Sequence, residues 1–181
     1  MRRTELFASD RLGDAVVRLY EQYAELLPEG SERERAVATA RSVKALLVDL
    51  RRLAAAYDPA IEFIDHRPLG FAPRRGADEH LDAIRTLLEF ADDVAIRVDD
   101  VLDLRSNGLL VRWTTFGIVR ASGLDVGHTF GTLADGGAFE FIWVLLALFR
   151  GGQLASIELF ELEDLETARA RFDALAKDVE R

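Results

Sequence analysis

A chain of 181 residues is long enough for one well-buried domain and too short for two ordinary ones. Its hydrophobic fraction of 49% and charged fraction of 30% exclude both a disordered chain and a membrane-embedded one. The net charge of -9 opposes phosphate backbones and anionic membrane surfaces, so neither nucleic acid nor membrane is an expected partner.

Along the chain, Ser9 to Leu27 sets Leu12, Val16, Leu19, Tyr23 and Leu26 at steps of three and four, which predicts an amphipathic helix with those residues as its packed stripe. Pro28, Glu29 and Gly30 stop it. Ser31 and Glu34 have the spacing of a capping box and start a second helix. Val37, Ala40, Val43, Leu47, Leu50 and Ala54 continue its stripe, with a break expected near Asp49, until Tyr57, Asp58 and Pro59 end it. IEFIDHRPLG, residues 61–70, follows as an apolar strand that runs into titratable groups and a Pro/Gly turn. Gly76 to Ala91 is a short packed helix with Asp78 and Glu79 in its first turn.

From Val94 the period changes to two, with Val94, Ile96, Val98 and Leu102 on one side and Arg97, Asp99 and Asp103 on the other. Asn107–Gly108 is a hairpin turn signal, and LLVRWTTFGIV after it is rich in β-branched and aromatic residues. Further strands are expected at 138–149 and 153–162, joined through Arg150, Gly151 and Gly152. The segment 121–137 is glycine-rich and reads as a long loop. FIWVLLALF, residues 141–149, is far below the ~20 residues a membrane-spanning helix needs and reads as a strand buried on both faces. The first ten residues have no apolar stretch behind their arginines, so they do not read as a secretory leader, and cytoplasm is the expected location.

Three pieces of sequence carry a family resemblance: VDLRRLAAAYDPAIEFIDHRPLG (48–70), LLVRWTTFG (109–117) and LFELEDLETARARFDAL (159–175). Together with the element order they resemble the nuclear transport factor 2-like superfamily, and within it the SnoaL-like branch. They are also similar to accessory domains of actinobacterial regulatory ATPases and nucleotide cyclases. The resemblance implies an α+β fold: a cone-shaped α+β barrel with a curved, mostly antiparallel sheet, preceded by two N-terminal helices. Residues 1–48 are then a helical extension and 49–181 the cone domain, forming one structural unit. A homodimer through the sheet's outer face or the N-terminal helices is the expected assembly.

The resemblance also implies where chemistry would lie. Asp65 falls where ketosteroid isomerases of this fold keep a proton-abstracting carboxylate, but their second acid falls near Leu145. Glu158 falls where limonene epoxide hydrolases have one acid of an Asp-Arg-Asp arrangement, whereas their arginine and second aspartate fall near Thr114 and Phe116. Neither constellation is complete.

Alternation puts Ile61, Phe63 and Asp65 on one face of the first strand, and Leu154, Ser156, Glu158 and Phe160 on one face of the last. If both faces look inward, Asp65 and Glu158 meet in an apolar cone, lined further by Phe63, Arg112, Thr114, Phe141 and Phe160. Desolvation and mutual repulsion would then make them an acid/base pair. The opposing structural reading pairs Glu158 with Arg112 on a neighbouring strand and has Asp65 cap the Arg67–Gly70 turn.

His66 points away from Asp65, and His66, His80 and His128 show no metal-ligand spacing, so neither a metal nor a cofactor is expected. Without cysteine, thiolate metal sites and cysteine nucleophiles are excluded. Two functions fit: a module that binds a small apolar or mixed-polarity molecule, and an isomerase, cyclase or epoxide hydrolase with Asp65 as general base and Glu158 as partner. A dimerisation domain with a filled cone is a third.

Overall fold

The computed structural model describes residues 4–49, 52–68, 70–120 and 137–179; most of the glycine-rich 121–137 segment and His128 lie outside the described residues. Helix α1 (Leu12–Leu26) leads through the Pro28–Gly30 turn into α2 (Ser31–Leu47). The buried stripe of α1 is Gly13, Val16, Val17, Tyr20 and Ala24, while Leu19 and Leu26 are 53% and 85% exposed. The expected stripe is thus rotated around the helix. Its small residues explain the rotation: a Cβ on Gly13 would already touch the Leu47 carbonyl at 3.4 Å, so only this side lets α1 approach α2 closely. Tyr20 then reaches across to donate to the carbonyls of Arg105 and Gly108 at 2.9 and 2.7 Å.

The predicted Ser31–Glu34 capping box does not form. Gly30 is the N-cap, at φ 145°, which favours glycine, and its carbonyl accepts from the Glu34 N–H at 3.1 Å. Because Ser31 lies inside the first turn, its hydroxyl is not placed to cap. The break near Asp49 is present, followed by α3 (Leu53–Ala56). Tyr57, expected to end a helix, opens strand β1 (Tyr57–Asp65) instead.

Next come β2 (Arg74–Arg75), α4 (Ala77–Phe90), β3 (Ala91–Arg105), β4 (Gly108–Val119), β5 (Ala138–Arg150), β6 (Gln153–Phe160) and α5 (Leu165–Val179). The six strands form one sheet in the order β2-β1-β6-β5-β4-β3. Only β1 and β6 run parallel; every other neighbouring pair is antiparallel. The tight turn between β3 and β4 forms one residue earlier than expected, at Ser106 and Asn107, and Gly108 opens β4. Strand β3 slips register at Asp92/Ala95, Val98/Asp100 and Val101/Asp103, and each irregularity bends it and increases its twist.

Helices α1, α2 and α4 cover one face of the sheet, here called the inner face. Val16, Tyr20, Val43 and Leu46 pack there with Val98, Leu109, Val111, Trp143, Leu145 and Leu159. On the outer face α5 lays Ala168 and Phe172 over Leu110, Leu146, Leu148 and Phe160. A Cβ on Gly108 would meet Phe172 at 2.8 Å, so glycine is what lets α5 settle so low. The slips in β3 also put Leu102 against the outer cluster while Val98 belongs to the inner one, separating two residues that strict alternation places together.

Candidate functional site

Where β1 ends, Asp65 is held from several directions. Its carboxylate accepts from Arg67 Nε at 2.8 Å and Arg67 Nη2 at 2.6 Å, and from the backbone N–H groups of Arg67 at 3.1 Å and Phe71 at 2.9 Å. The side chain has no solvent exposure. Pro68 lies within the turn, and the Gly70 N–H closes it on the Arg67 carbonyl at 3.0 Å. A Cβ on Gly70 would stand 2.4 Å from the Asp65 carboxyl carbon, so the turn folds over the acid only because residue 70 is glycine. Burial works against ionisation of Asp65, but the Arg67 guanidinium and the two N–H groups outweigh it and hold the acid below the ordinary carboxylate range.

Arg67 in turn stands over Trp143, its guanidinium carbon 4.2 Å from the ring centroid. From there aromatic groups continue along the inner face. Phe141 stacks on Trp143 at 5.7 Å and 6°, and Trp113 opposes Trp143 across β4 and β5. Toward β1, Phe71 is 6.0 Å from Phe63, Phe63 is 4.8 Å from His80, and His80 is 5.3 Å from Tyr57. Arg74 stands over the rings of Phe71 and Phe63 at 4.8 and 5.6 Å.

Along this wall Tyr57 Oη, His80 Nδ1, Trp113 Nε1 and Trp143 Nε1 are buried and have no hydrogen-bond partner among the described residues. Buried polar groups are nearly always paired, and leaving one unpaired costs about 1–3 kcal/mol. Finding them clustered on one face marks that face. Burial, reinforced by Arg74, lowers His80 to about 4, so its imidazole is neutral near pH 7.

The outer face carries a different cluster. Glu158, 1% exposed, lies 2.7 Å from His66 Nε2 and accepts from Arg171 Nε at 3.1 Å on both oxygens. Arg171 Nη2 adds a contact at 3.0 Å, and His66 stacks on Phe160 at 4.3 Å and 12°. Here the carboxylate is fully used, and it fastens α5 to the sheet.

The two acids therefore do not meet. Asp65 faces inward with Ile61 and Phe63, as alternation requires, whereas Glu158 registers with Ile64 and faces outward. Strand β6 explains the difference: Leu148 pairs with Ser156 but Phe149 pairs with Leu154, so Ala155 is an extra residue. Beyond it every side chain changes face. Leu154 is inward, and so are Ile157 and Leu159, while Ser156, Glu158 and Phe160 are outward.

Of the remaining pocket residues, Phe63 and Phe141 are on the inner face, and Arg112 and Thr114 face outward, opposite to Trp113. Nor does Arg112 pair with Glu158. Strand β5 separates β4 from β6, and Arg112 approaches Asp100 at 3.8 Å instead, while Thr114 donates to Asp99. The expected turn-capping role of Asp65 is realised in its bonds to the Arg67 and Phe71 N–H groups.

Sequence reasoning passed over Arg74, Tyr57, Arg171 and both tryptophans as site residues, and named Arg67 only as the start of the turn. One signal was available: Arg67 follows Asp65 by two residues, the spacing of an Asx turn with an ion pair on top. Among the described residues no group of acidic and histidine side chains could hold a metal ion, and no helix is long and apolar enough to cross a membrane.

No protein-family model and no curated protein matches the sequence. Solved structures do. A protein from Jannaschia sp. CCS1, named for the SnoaL-like polyketide cyclases, is 16% identical, with 73% of this chain and 91% of that one covered and a TM-score of 0.53. A nuclear transport factor 2-like protein from Burkholderia thailandensis E264 is 18% identical over 74% of this chain and 91% of that one, with a TM-score of 0.48. A protein of ketosteroid isomerase-like fold from Catenulispora acidiphila DSM 44928, in complex with trimethylamine, is 10% identical over 72% and 90%, with a TM-score of 0.48. At these identities the likeness is one of fold, and the chain has the α+β fold of nuclear transport factor 2-like structures.

Proposed function

We propose that this chain is a binding module for a small organic molecule of mixed polarity, taken up on the inner face against Phe63, Phe141 and Trp143. The observation that supports this is the row of buried, unpartnered polar atoms on Tyr57, His80, Trp113 and Trp143, set into an otherwise aromatic wall. An apolar wall with a few convergent polar groups is the usual composition of a small-molecule site. Asp65 serves there as a positioning acid: it holds Arg67 over Trp143 and ties down the turn that borders the wall.

Proton abstraction by Asp65 draws no support from its surroundings, because both carboxylate oxygens already accept several donors and the acid is held low. Likeness in fold to a polyketide cyclase supports a pocket rather than a reaction.

Native mass spectrometry of gently purified protein tests the reading. A defined extra mass is expected on the wild-type protein and should be lost from the Trp143→Phe variant, which keeps most of the aromatic volume and removes the indole N–H. A protein that carries no adduct and is unaffected by a broad panel of aromatic and alicyclic compounds would overturn it.

A further inference from the structure

Every unspent polar capacity on the inner wall whose character is fixed is a donor. The indole nitrogens of Trp113 and Trp143 can only donate, and a guanidinium has no acceptor at all. Tyr57 Oη and His80 Nδ1 can take either role. At the Trp143 end of the wall the Asp65 carboxylate is used up by Arg67 and two backbone N–H groups. Charge follows the same division. Asp65 neutralises Arg67, but the half-buried Arg74 makes no ion pair or hydrogen bond with a described residue and is held only by stacking on Phe63 and Phe71.

The register fixes which way it faces: Arg74 is the cross-strand partner of Phe63, whereas Arg75 pairs with Glu62 and forms its ion pair on the other side. In a chain of net charge -9, an uncompensated guanidinium beside a row of donors is a local reversal of sign.

We propose that the molecule bound on the inner face is an organic anion, a carboxylate on a flat apolar body, and that Arg74 sets this specificity by pairing with its charge. This rests on the inner-face binding reading above. The flat body follows from the make-up of the wall: Phe63 and Phe71 pair edge-on and Phe141 and Trp143 stack, the geometries that one more planar ring would adopt among them. A carboxylate supplies the acceptors that the indole N–H groups and Arg74 lack, in bonds made stronger by charge.

The test uses a matched pair of probes, naphthoate and the neutral naphthamide of nearly the same shape, titrated by calorimetry into the wild-type protein and the Arg74→Gln and Arg74→Lys variants. Since Arg74 makes no bond that holds the fold, both variants should melt within a few degrees of wild type. Wild-type protein is expected to bind naphthoate about tenfold more tightly than naphthamide. Arg74→Gln should remove that preference, so that naphthoate binds no more tightly than naphthamide, and Arg74→Lys should restore part of it.

Equal affinity for the two probes in wild-type protein, or a preference for naphthoate that survives Arg74→Gln, would overturn the assignment of charge recognition while leaving the inner-face site standing. Failure of either probe to bind any of the proteins, together with the absence of any adduct in the native mass spectrum, would overturn both the inference and the reading beneath it.

Discussion

The inner and outer ends of the β1–β6 pair make an instructive contrast. Each carries a carboxylate removed from solvent, each pairs it with an arginine, and each sets an aromatic ring beside the pair: Asp65 with Arg67 and Trp143 inside, Glu158 with Arg171, His66 and Phe160 outside. By buried acid alone the two are equivalent candidates. They differ in what is left over. Outside, the carboxylate and its partners satisfy one another; inside, the indoles, Tyr57, His80 and Arg74 keep hydrogen-bonding capacity with nothing in the described chain to answer it. Unspent capacity, rather than a buried charge, distinguishes a binding surface from a fastening.

The contrast can be broken most forcefully at Asp65. Asp65→Ala would strand the Arg67 guanidinium, only 10% exposed, and remove the acceptor of two backbone N–H groups. A loss of about 3–5 kcal/mol in unfolding free energy is expected by chemical denaturation. Acid titration comes next. His80 is neutral in the folded protein, its pKa taken down from 6.5 to about 4 by burial and by Arg74. The unfolded chain therefore binds the proton first. Stability should be constant above about pH 6.5, fall by about 3 kcal/mol as pH drops toward 4, and lose this slope in His80→Phe. Asp65, whose folded pKa is depressed, adds its own loss only below the ordinary carboxylate range, so the two windows are separable.

Smaller effects sharpen the comparison. Glu158→Gln on the outer face should cost about 1–2 kcal/mol, because Arg171 and His66, 41% and 36% exposed, can turn to water once the charge is gone. Binding of naphthoate should be unaffected. Smallest in stability is Tyr57→Phe, which deletes a hydroxyl without a partner and nothing else. The melting temperature should stay the same or rise, the reverse of the usual outcome when a bonded tyrosine is truncated, and a clear fall would mean that the hydroxyl is satisfied.

Much of the fold was legible in the sequence because its signals are local. Asn107–Gly108, the period-two runs on either side of it, and the break near Asp49 each act over a few residues, and the elements follow them. The inner-face position of Phe63, Asp65 and Phe141 was legible, since alternation holds along β1 and β5. It failed at Glu158 and Phe160 because a single extra residue, Ala155, reverses the parity of β6, and nothing in GGQLASIELF signals that slip. The same physics moved Leu102 away from Val98 in β3. Arg112 was misplaced for another reason: which strands are neighbours depends on the sheet order, and β5 stands between β4 and β6. On α1, hydrophobicity pointed to Leu19 and Leu26, whereas close packing chose the side with Gly13 and Ala24.

Both tryptophans of the chain, Trp113 and Trp143, lie on the inner wall, and both have unpartnered indole N–H groups. A proton–nitrogen correlation spectrum therefore shows two indole signals, each a reporter on the proposed surface. On titration with naphthoate, both should move in step with occupancy while the resonances of His66 and Arg171 stay in place. Indole signals that remain fixed while the His66 and Arg171 resonances shift would put the binding surface on the outer face and contradict the account.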